Sequence, residues 1–366
     1  MDEQDSIERL APVFELIERF VDGGEIDGAA LAVSRHGKLV MEWYTGRAAS
    51  DLPSGPGVLW PLASISKLYT AAMVMALVER GTLTLSMRVH TLLPKFSGDG
   101  RENVRLRHLL THTSGVIYES PNMDHVLRAQ TPYEEMIDEA YTHPLLFKPG
   151  TGFEYSDFGI ALAGRMASVA TGMTFPDLIR TLVLEPGELG NTFMPPPTSH
   201  YSRVAHVKGT LAYGTEGAMY NSPYALQLAH PAFGTVASVT DLLRFALLFA
   251  PTSPRRILSP ATIRAITSDQ TGGMARGHLA GIELALPQPW GLGFELNSTV
   301  GGFGLAELGS SATFGHAGAS GCTAMVDPIN DIALAYVSNS HANISMDRWY
   351  FRLTSITNAV YAALSD

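Results

Sequence analysis

Apolar positions recur at helical spacing through residues 6–21 (Ile7, Leu10, Val13, Phe14, Ile17, Phe20), which predicts an opening amphipathic helix. Apolar runs at 29–34 and 39–44 flank the short connection Arg35-His36-Gly37-Lys38, the pattern of an antiparallel hairpin at the edge of a sheet. Residues 64–80 are apolar on nearly every side and close on Gly81, so this helix is expected in the centre of the protein. Between about 83 and 225 helical patterns dominate (104–111, 133–141, 158–171 and 176–183), broken by Pro and Gly loops. A helix over 240–249, capped by Thr240 or Asp241, and another over 260–267 come next. Strand patterns return at 291–296, 312–316, 323–327 and 332–338, with a turn at 328–331, and a helix over 347–364 ends the pattern.

Strands at both ends with helices between imply an α/β (α+β) fold: one antiparallel sheet assembled from both termini, flanked by helices and carrying an inserted all-helical domain. The expected division is a sheet domain from 1–62 and 230–366 and a mainly helical domain from 63–229, with the active site in the cleft between them.

Composition narrows the function. The 366 residues are 46% hydrophobic, enough for a substantial core. A net charge of −10 opposes binding to nucleic acid or to an anionic membrane surface. The one cysteine, Cys322, allows no internal disulfide and fits a buried small hydrophobe. The acidic start, Met-Asp-Glu-Gln-Asp-Ser-Ile-Glu, lacks the basic-then-apolar order of a secretory signal, so a cytoplasmic location is expected. The longest strongly apolar stretch, from Leu68 to Val78, falls well short of the roughly 20 residues a bilayer requires. No histidine pair has H-E-x-x-H spacing and no phosphate-binding glycine loop occurs, so neither a metal nor a cofactor is expected.

The chemistry starts at Ser64-Ile65-Ser66-Lys67. A serine hydroxyl is a weak nucleophile without a neighbouring base, and a lysine three residues on along a helix projects from the same face. Because this helix is too apolar for the surface, Lys67 enters an interior where an unpaired ammonium is costly and its pKa tends to fall. Tyr155-Ser156-Asp157 and His316-Ala317-Gly318 supply further polar groups at intervals that only a folded chain could bring together. Gly318-Ala319-Ser320-Gly321-Cys322 is not a nucleophile elbow, because G-x-S-x-G requires glycine at the last position.

In order and spacing, Ser64-x-x-Lys67, Tyr155-x-Asp157 and His316-x-Gly318 resemble the three motifs of the serine β-lactamase and penicillin-binding-protein superfamily. The segments 108–115, 233–245, 290–293 and 336–339 resemble its branch of class C β-lactamases, DD-peptidases and family VIII esterases. The resemblance implies that Ser64 is the nucleophile, that its proton passes to Lys67, Tyr155 or both, and that the N–H groups of Ser64 and Ala319 form the oxyanion hole. It implies that His316 lines the site as a donor to the substrate or to Tyr155, while His112 braces the helical region. Asp157 departs from the pattern, since relatives usually carry asparagine there. A carboxylate cannot donate to a substrate carbonyl; it could hold Lys67 protonated, bind a substrate amine, or turn away to brace a loop.

The resulting expectation is a serine hydrolase acting on carboxylic esters, with amides second and acyl transfer, peptidase or β-lactamase chemistry as alternatives on the same residues. A non-catalytic binding or scaffold protein is the remaining alternative, from a different class. Trp290, Tyr118 and Phe303 are expected near the cleft.

Overall fold

The structure, a computed structural model, describes residues 3–210, 218–253, 255–272, 274, 277–279, 282–283, 289–297 and 304–364. Phe303 and the side chain of His278 lie outside the described residues.

The elements that carry the argument are α1 (Glu3–Asp22), β1 (Gly28–Arg35), β2 (Lys38–Ala49), β3 (Leu52–Pro53), α2 (Ser66–Glu79), α3 (Asp157–Thr171), α4 (Val239–Leu247), β4 (Glu295–Leu296), β5 (Phe314–Gly318), β6 (Cys322–Asp327), β7 (Ile332–Ser338) and α5 (Met346–Leu364). The seven strands form one antiparallel sheet in the order β4-β5-β6-β7-β1-β2-β3. The first and last strand groups meet where β1 pairs with β7, from Ala29 opposite Ser338 to Arg35 opposite Ile332. The hairpin of β1 and β2 therefore sits near an edge, with only the two residues of β3 beyond it.

Alternation along the strands divides the core. Ala29, Leu31, Val33, Leu334 and Tyr336 pack with α1 and α5, whereas Ala30, Ala32, Ala333, Ala335 and Val337 face the layer containing α2 and α4. Both faces are covered, which is why these strands read as continuous apolar runs. Helix α2 lies inside this second layer and is buried from Ser66 to Leu77. Tyr69 of α2 stacks on Phe245 of α4 with ring centroids 3.7 Å apart.

Several expected elements differ in their bounds; the strand expected over 312–316, for example, is Phe314–Gly318. The helix at 240–249 starts at Val239 and is capped by Ser238, whose Oγ accepts from the N–H of Asp241. Of the strand expected over 291–296, only Glu295–Leu296 joins the sheet. A turn replaces the rest, with Gly291 N donating to Phe294 O and Gly293 at φ +88°. Periodicity registers apolar content there, not the backbone bend that brings Gly293 against α2.

That contact leaves no room for a side chain: a Cβ on Gly293 would lie 2.3 Å from Ala71 Cβ. Gly293→Ala is expected to lower the unfolding free energy by about 2–4 kcal/mol, combining left-handed backbone strain with overpacking. Urea titration would measure it, and a loss below about 0.5 kcal/mol would mean the loop relaxes freely.

Candidate active site

The predicted residues converge at the start of α2. Ser64 lies in a short 3₁₀ turn, Ala63–Ile65, that runs directly into α2, and Lys67 is the second residue of that helix. Lys67 is fully buried and donates from Nζ to Ser64 Oγ at 2.9 Å and to the carbonyl of Ala232 at 3.2 Å. Its third close oxygen is Asp157 Oδ1, 2.8 Å away in an ion pair. The Asp157 carboxylate thus faces the lysine, which removes the reading that it turns away to brace a loop. Approach to Oδ1 is off the angle of a hydrogen bond, so the attraction is electrostatic more than directional.

The surrounding chain fixes this geometry. Ser66 Oγ accepts from Thr235 N at 2.9 Å, Thr70 Oγ1 donates to Pro231 O at 2.7 Å, and Leu62 N donates to Thr235 O, so the loop 230–235 is laced to the start of α2. Asp157 opens α3 behind the cap Ser156, whose Oγ accepts from Gly159 N at 2.8 Å. The Asp157 N–H donates to Tyr118 O.

Tyr155 is buried in an aromatic cage with Phe153 and Trp290, and Tyr118 packs on it. His112 lies 4.6 Å from Tyr155 between ring centroids, and its Nδ1 accepts from Ser156 N at 3.0 Å. His112 thereby ties the segment 153–156 in place, as a bracing residue would. The Lys67 ammonium sits over the Tyr155 ring, 4.7 Å from its centroid.

The phenol does not become acidic. Burial, and then the charge of Asp157, push its pKa well above the ordinary tyrosine value, while a hydrogen bond with the Ser64 hydroxyl opposes them. A desolvated hydroxyl facing a carboxylate keeps its proton.

His316 meets Tyr155 from β5, with Nε2 3.4 Å from the phenolic oxygen. Its Nδ1 lies 2.5 Å from Ala317 O, and a carbonyl can only accept, so Nδ1 carries the hydrogen. Nε2 is then an acceptor, which corrects the expectation of a donor to Tyr155. Burial and the Lys67 charge hold the imidazole neutral, with a pKa brought down to about 3.

Gly318 brings β5 against the turn that carries Ser64. A Cβ there would lie 2.3 Å from Leu62 O and 2.6 Å from Cys322 Sγ. Ser320 Oγ donates to Pro61 O at 2.6 Å and Cys322 Sγ to Leu62 O at 3.3 Å, pinning the same approach. Cys322 is buried, as its type suggested. Among the described residues, no backbone hydrogen bond outside the helices and strands has the N–H of Ser64 or Ala319 as its donor.

Sequence reading missed the carbonyl of Ala232, which no side-chain pattern reports, and Glu119. Burial and the Asp157 charge push the Glu119 carboxyl up to about 7, while Lys67 pulls it down. Two clefts, of about 740 and 690 Å³, lie around Arg165 and Phe175 and around Arg180 and Phe193, and neither is lined by the Ser64 cluster. Among the described residues no group of three or more His, Cys, Asp or Glu side chains is placed to hold a metal. None of their helices is long and apolar enough to cross a membrane.

The Beta-lactamase family model matches residues 13–353. The chain belongs to the Beta-lactamase family. It is 32% identical to Esterase EstB of Burkholderia gladioli over 176 residues, 43% of this chain and 45% of that protein. It is 29% identical to Penicillin-binding protein 4* of Bacillus subtilis over 247 residues, 63% of this chain and 53% of that protein. The matches thus span about half the length of these curated relatives. A penicillin-binding protein homologue from Caulobacter crescentus superposes over 97% of both chains with a TM-score of 0.76 at 26% identity. EstCE1, titled a hydrolase with promiscuous acyltransferase activity, matches in fold with a TM-score of 0.78 at 21% identity, covering 97% of this chain and 99% of its own. The fold is accordingly β-lactamase-like, as its motifs implied.

The buried imidazoles carry a pH dependence. Burial and then the Lys67 charge bring His230 down to about 3, as they do His316, and the same two causes hold His112 well below the ordinary range. Each takes up a proton in the unfolded chain near pH 6.5 but not in the folded one, so folding free energy is lost as pH drops below that value. Urea unfolding at pH 7.5 and pH 5 is expected to show lower stability at the acidic pH; equal stability would contradict neutral burial of these rings.

Proposed function

We propose that this chain is a serine hydrolase that forms an acyl-enzyme at Ser64 and acts chiefly on small or medium carboxylic esters. The observation that carries the reading is one hydroxyl, Ser64 Oγ, held 2.9 Å from a fully buried lysine amine that itself lies 4.7 Å from the centre of the Tyr155 ring. That arrangement suits nucleophilic catalysis, in which a weak nucleophile is oriented and relieved of its proton as it attacks. The Ser64 and Ala319 N–H groups would receive the developing oxyanion, and the substrate would enter between the sheet region, 1–62 and 230–366, and the helical region, 63–229.

Esters are favoured over β-lactams and peptides by Asp157. An asparagine amide there could donate to a substrate carbonyl while accepting from the lysine; the carboxylate can only accept, and it is engaged with Lys67 at 2.8 Å. Ester cleavage also demands less protonation of the leaving group than amide cleavage does. EstB, named an esterase, is among the relatives and supports the same choice. Amide hydrolysis and transfer of the acyl group to an alcohol or amine use the same residues and rank behind it.

Turnover of p-nitrophenyl butyrate and nitrocefin, measured side by side, tests the reading. Wild type is expected to cleave the ester and to be weak on nitrocefin; Ser64→Ala should lose ester turnover by at least about 10³-fold. Tyr155→Phe should keep the fold and lose about 10²–10⁴-fold, the usual range for a missing proton-transfer group. Undiminished ester turnover in Ser64→Ala would refute the assignment, and strong nitrocefin turnover would overturn the ranking of esters over β-lactams.

A further inference from the structure

Beside the nucleophile stands a carboxylate that the hydrolytic reading leaves without a task. Glu119 follows Tyr118, whose carbonyl oxygen accepts from Asp157 N at 2.8 Å and from Phe158 N at 3.2 Å. Peptide bond lengths then put the Glu119 Cα within about 6 Å of the Asp157 nitrogen. The chain just before it is tied to the same helix start, because Ser156 Oγ donates to Ile117 O at 2.7 Å and the Tyr118 ring lies 5.9 Å from that of Tyr155. Glu119 is thereby anchored where α3 begins, next to Asp157 and Tyr155, and it is half-buried.

Charge accounting shows what this corner lacks. Lys67 and Asp157 are paired with each other at 2.8 Å, and the rings of His112, His230 and His316 are held neutral. Among the described residues, no hydrogen bond or ion pair engages the Glu119 carboxylate. Once ionised it adds a negative charge that the Lys67–Asp157 pair does not balance, and Asp124 deepens the same field. Partial burial and the Asp157 charge make that charge costly, which is why the carboxyl is pushed up to about 7. A cation brought by the substrate would supply the missing partner. Aromatic groups stand ready beside it: the charges of Asp157 and Glu119 both reach the hydroxyls of half-buried Tyr118 and buried Tyr220. Tyrosine faces attract organic ammonium ions, so rings and carboxylate select for the same chemistry.

We propose that this site prefers esters carrying an organic ammonium group, and that the Glu119 carboxylate, framed by Tyr118, receives that cation. The inference rests on the acyl-enzyme reading above and narrows its substrate. Asp157 cannot serve equally, because its carboxylate is already engaged with Lys67. Glu119 acts away from the reacting carbonyl and sets specificity; it transfers no proton. The ammonium belongs to the acyl group or to the alcohol, and the recognition is the same for both.

Two pairs of isosteric esters, each exchanging a quaternary nitrogen for a quaternary carbon, separate charge from shape. Choline butyrate against neohexyl butyrate puts the cation on the alcohol, and betaine ethyl ester against ethyl tert-butylacetate puts it on the acyl group. With kcat/KM read by pH-stat titration, wild type is expected to favour the cationic member of at least one pair. Glu119→Gln should lower that cationic-to-neutral ratio by about tenfold or more. Comparing the ratio between two proteins cancels the effect of the nitrogen on ester reactivity. The pair that responds shows which side carries the cation; a ratio that responds in neither overturns the proposal.

The pH dependence provides a second arm. Because quaternary nitrogens do not titrate, the wild-type ratio should rise between about pH 6 and 8 as Glu119 loses its proton, and stay flat in Glu119→Gln. The other groups acting on Glu119 are Asp157, Lys67, Asp124 and the hydroxyls of Tyr118 and Tyr220. A rise caused by any of them would persist in Glu119→Gln, and that result, or a flat wild-type ratio, overturns the proposal. If Glu119→Gln does not fold, the wild-type curve decides. Ester turnover surviving in Ser64→Ala would refute the hydrolase reading itself, whereas Ser64-dependent turnover with unmoved ratios sinks this inference alone.

Discussion

A charged lysine at zero exposure in the middle of the protein is the constraint around which the site is organised. Taking an ammonium out of water costs several kcal/mol even after the protein relaxes, and only well-placed acceptors offset it. Here the acceptors come from three distant parts of the chain: a carboxylate at 157, a carbonyl at 232 and the hydroxyl of Ser64. The groups that make Lys67 tolerable are therefore the ones that define the site. Removing any of them affects stability and chemistry together, as expected where a functional site works against the packing around it.

The fold supplies what this ion pair needs. Helix α2 packs against α3 and, through Tyr69 on Phe245, against α4, and Lys67 is fully buried in this layer. Strand β5 approaches the turn bearing Ser64 closely because Gly318 has no Cβ, which would lie 2.3 Å from Leu62 O. The pairing of β1 with β7 joins the two ends of the chain into one rigid support. Around Tyr155, rings of Phe153, Trp290 and His112 replace water with a fixed, largely apolar wall. Such a wall strengthens every charge interaction inside it, and it also keeps the phenol and both nearby imidazoles neutral.

Much of this was legible in the sequence, for physical reasons. The uniform apolarity around the Ser64–Lys67 segment announced a buried helix, and burial alone implied an unusual lysine. Short apolar runs bounded by turn residues revealed most of the sheet, because its central strands are covered on both faces. What stayed hidden depended on backbone geometry. The carbonyl of Ala232 has no sequence signature, and the turn at Gly291–Phe294 resembled a strand because the composition was right and the φ angle at Gly293 was invisible. The tautomer of His316 depends on the neighbouring carbonyl of Ala317, which spacing does not report. Glu119 was passed over because its only distinction is where the fold puts it, close enough to Asp157 to feel its charge.

Asp157 separates this chain from the pattern its motifs resemble, and it links the ion pair to the proposed substrate preference. The account stands first on a covalent bond at Ser64. Intact-protein mass spectrometry after brief mixing with p-nitrophenyl butyrate, followed by peptide mapping, would show it directly. The account predicts a single butyryl adduct on the peptide containing Ser64, decaying as hydrolysis completes. Rapid ester turnover with the acyl group on another residue, or with no adduct even when the reaction is trapped by acid, would contradict it.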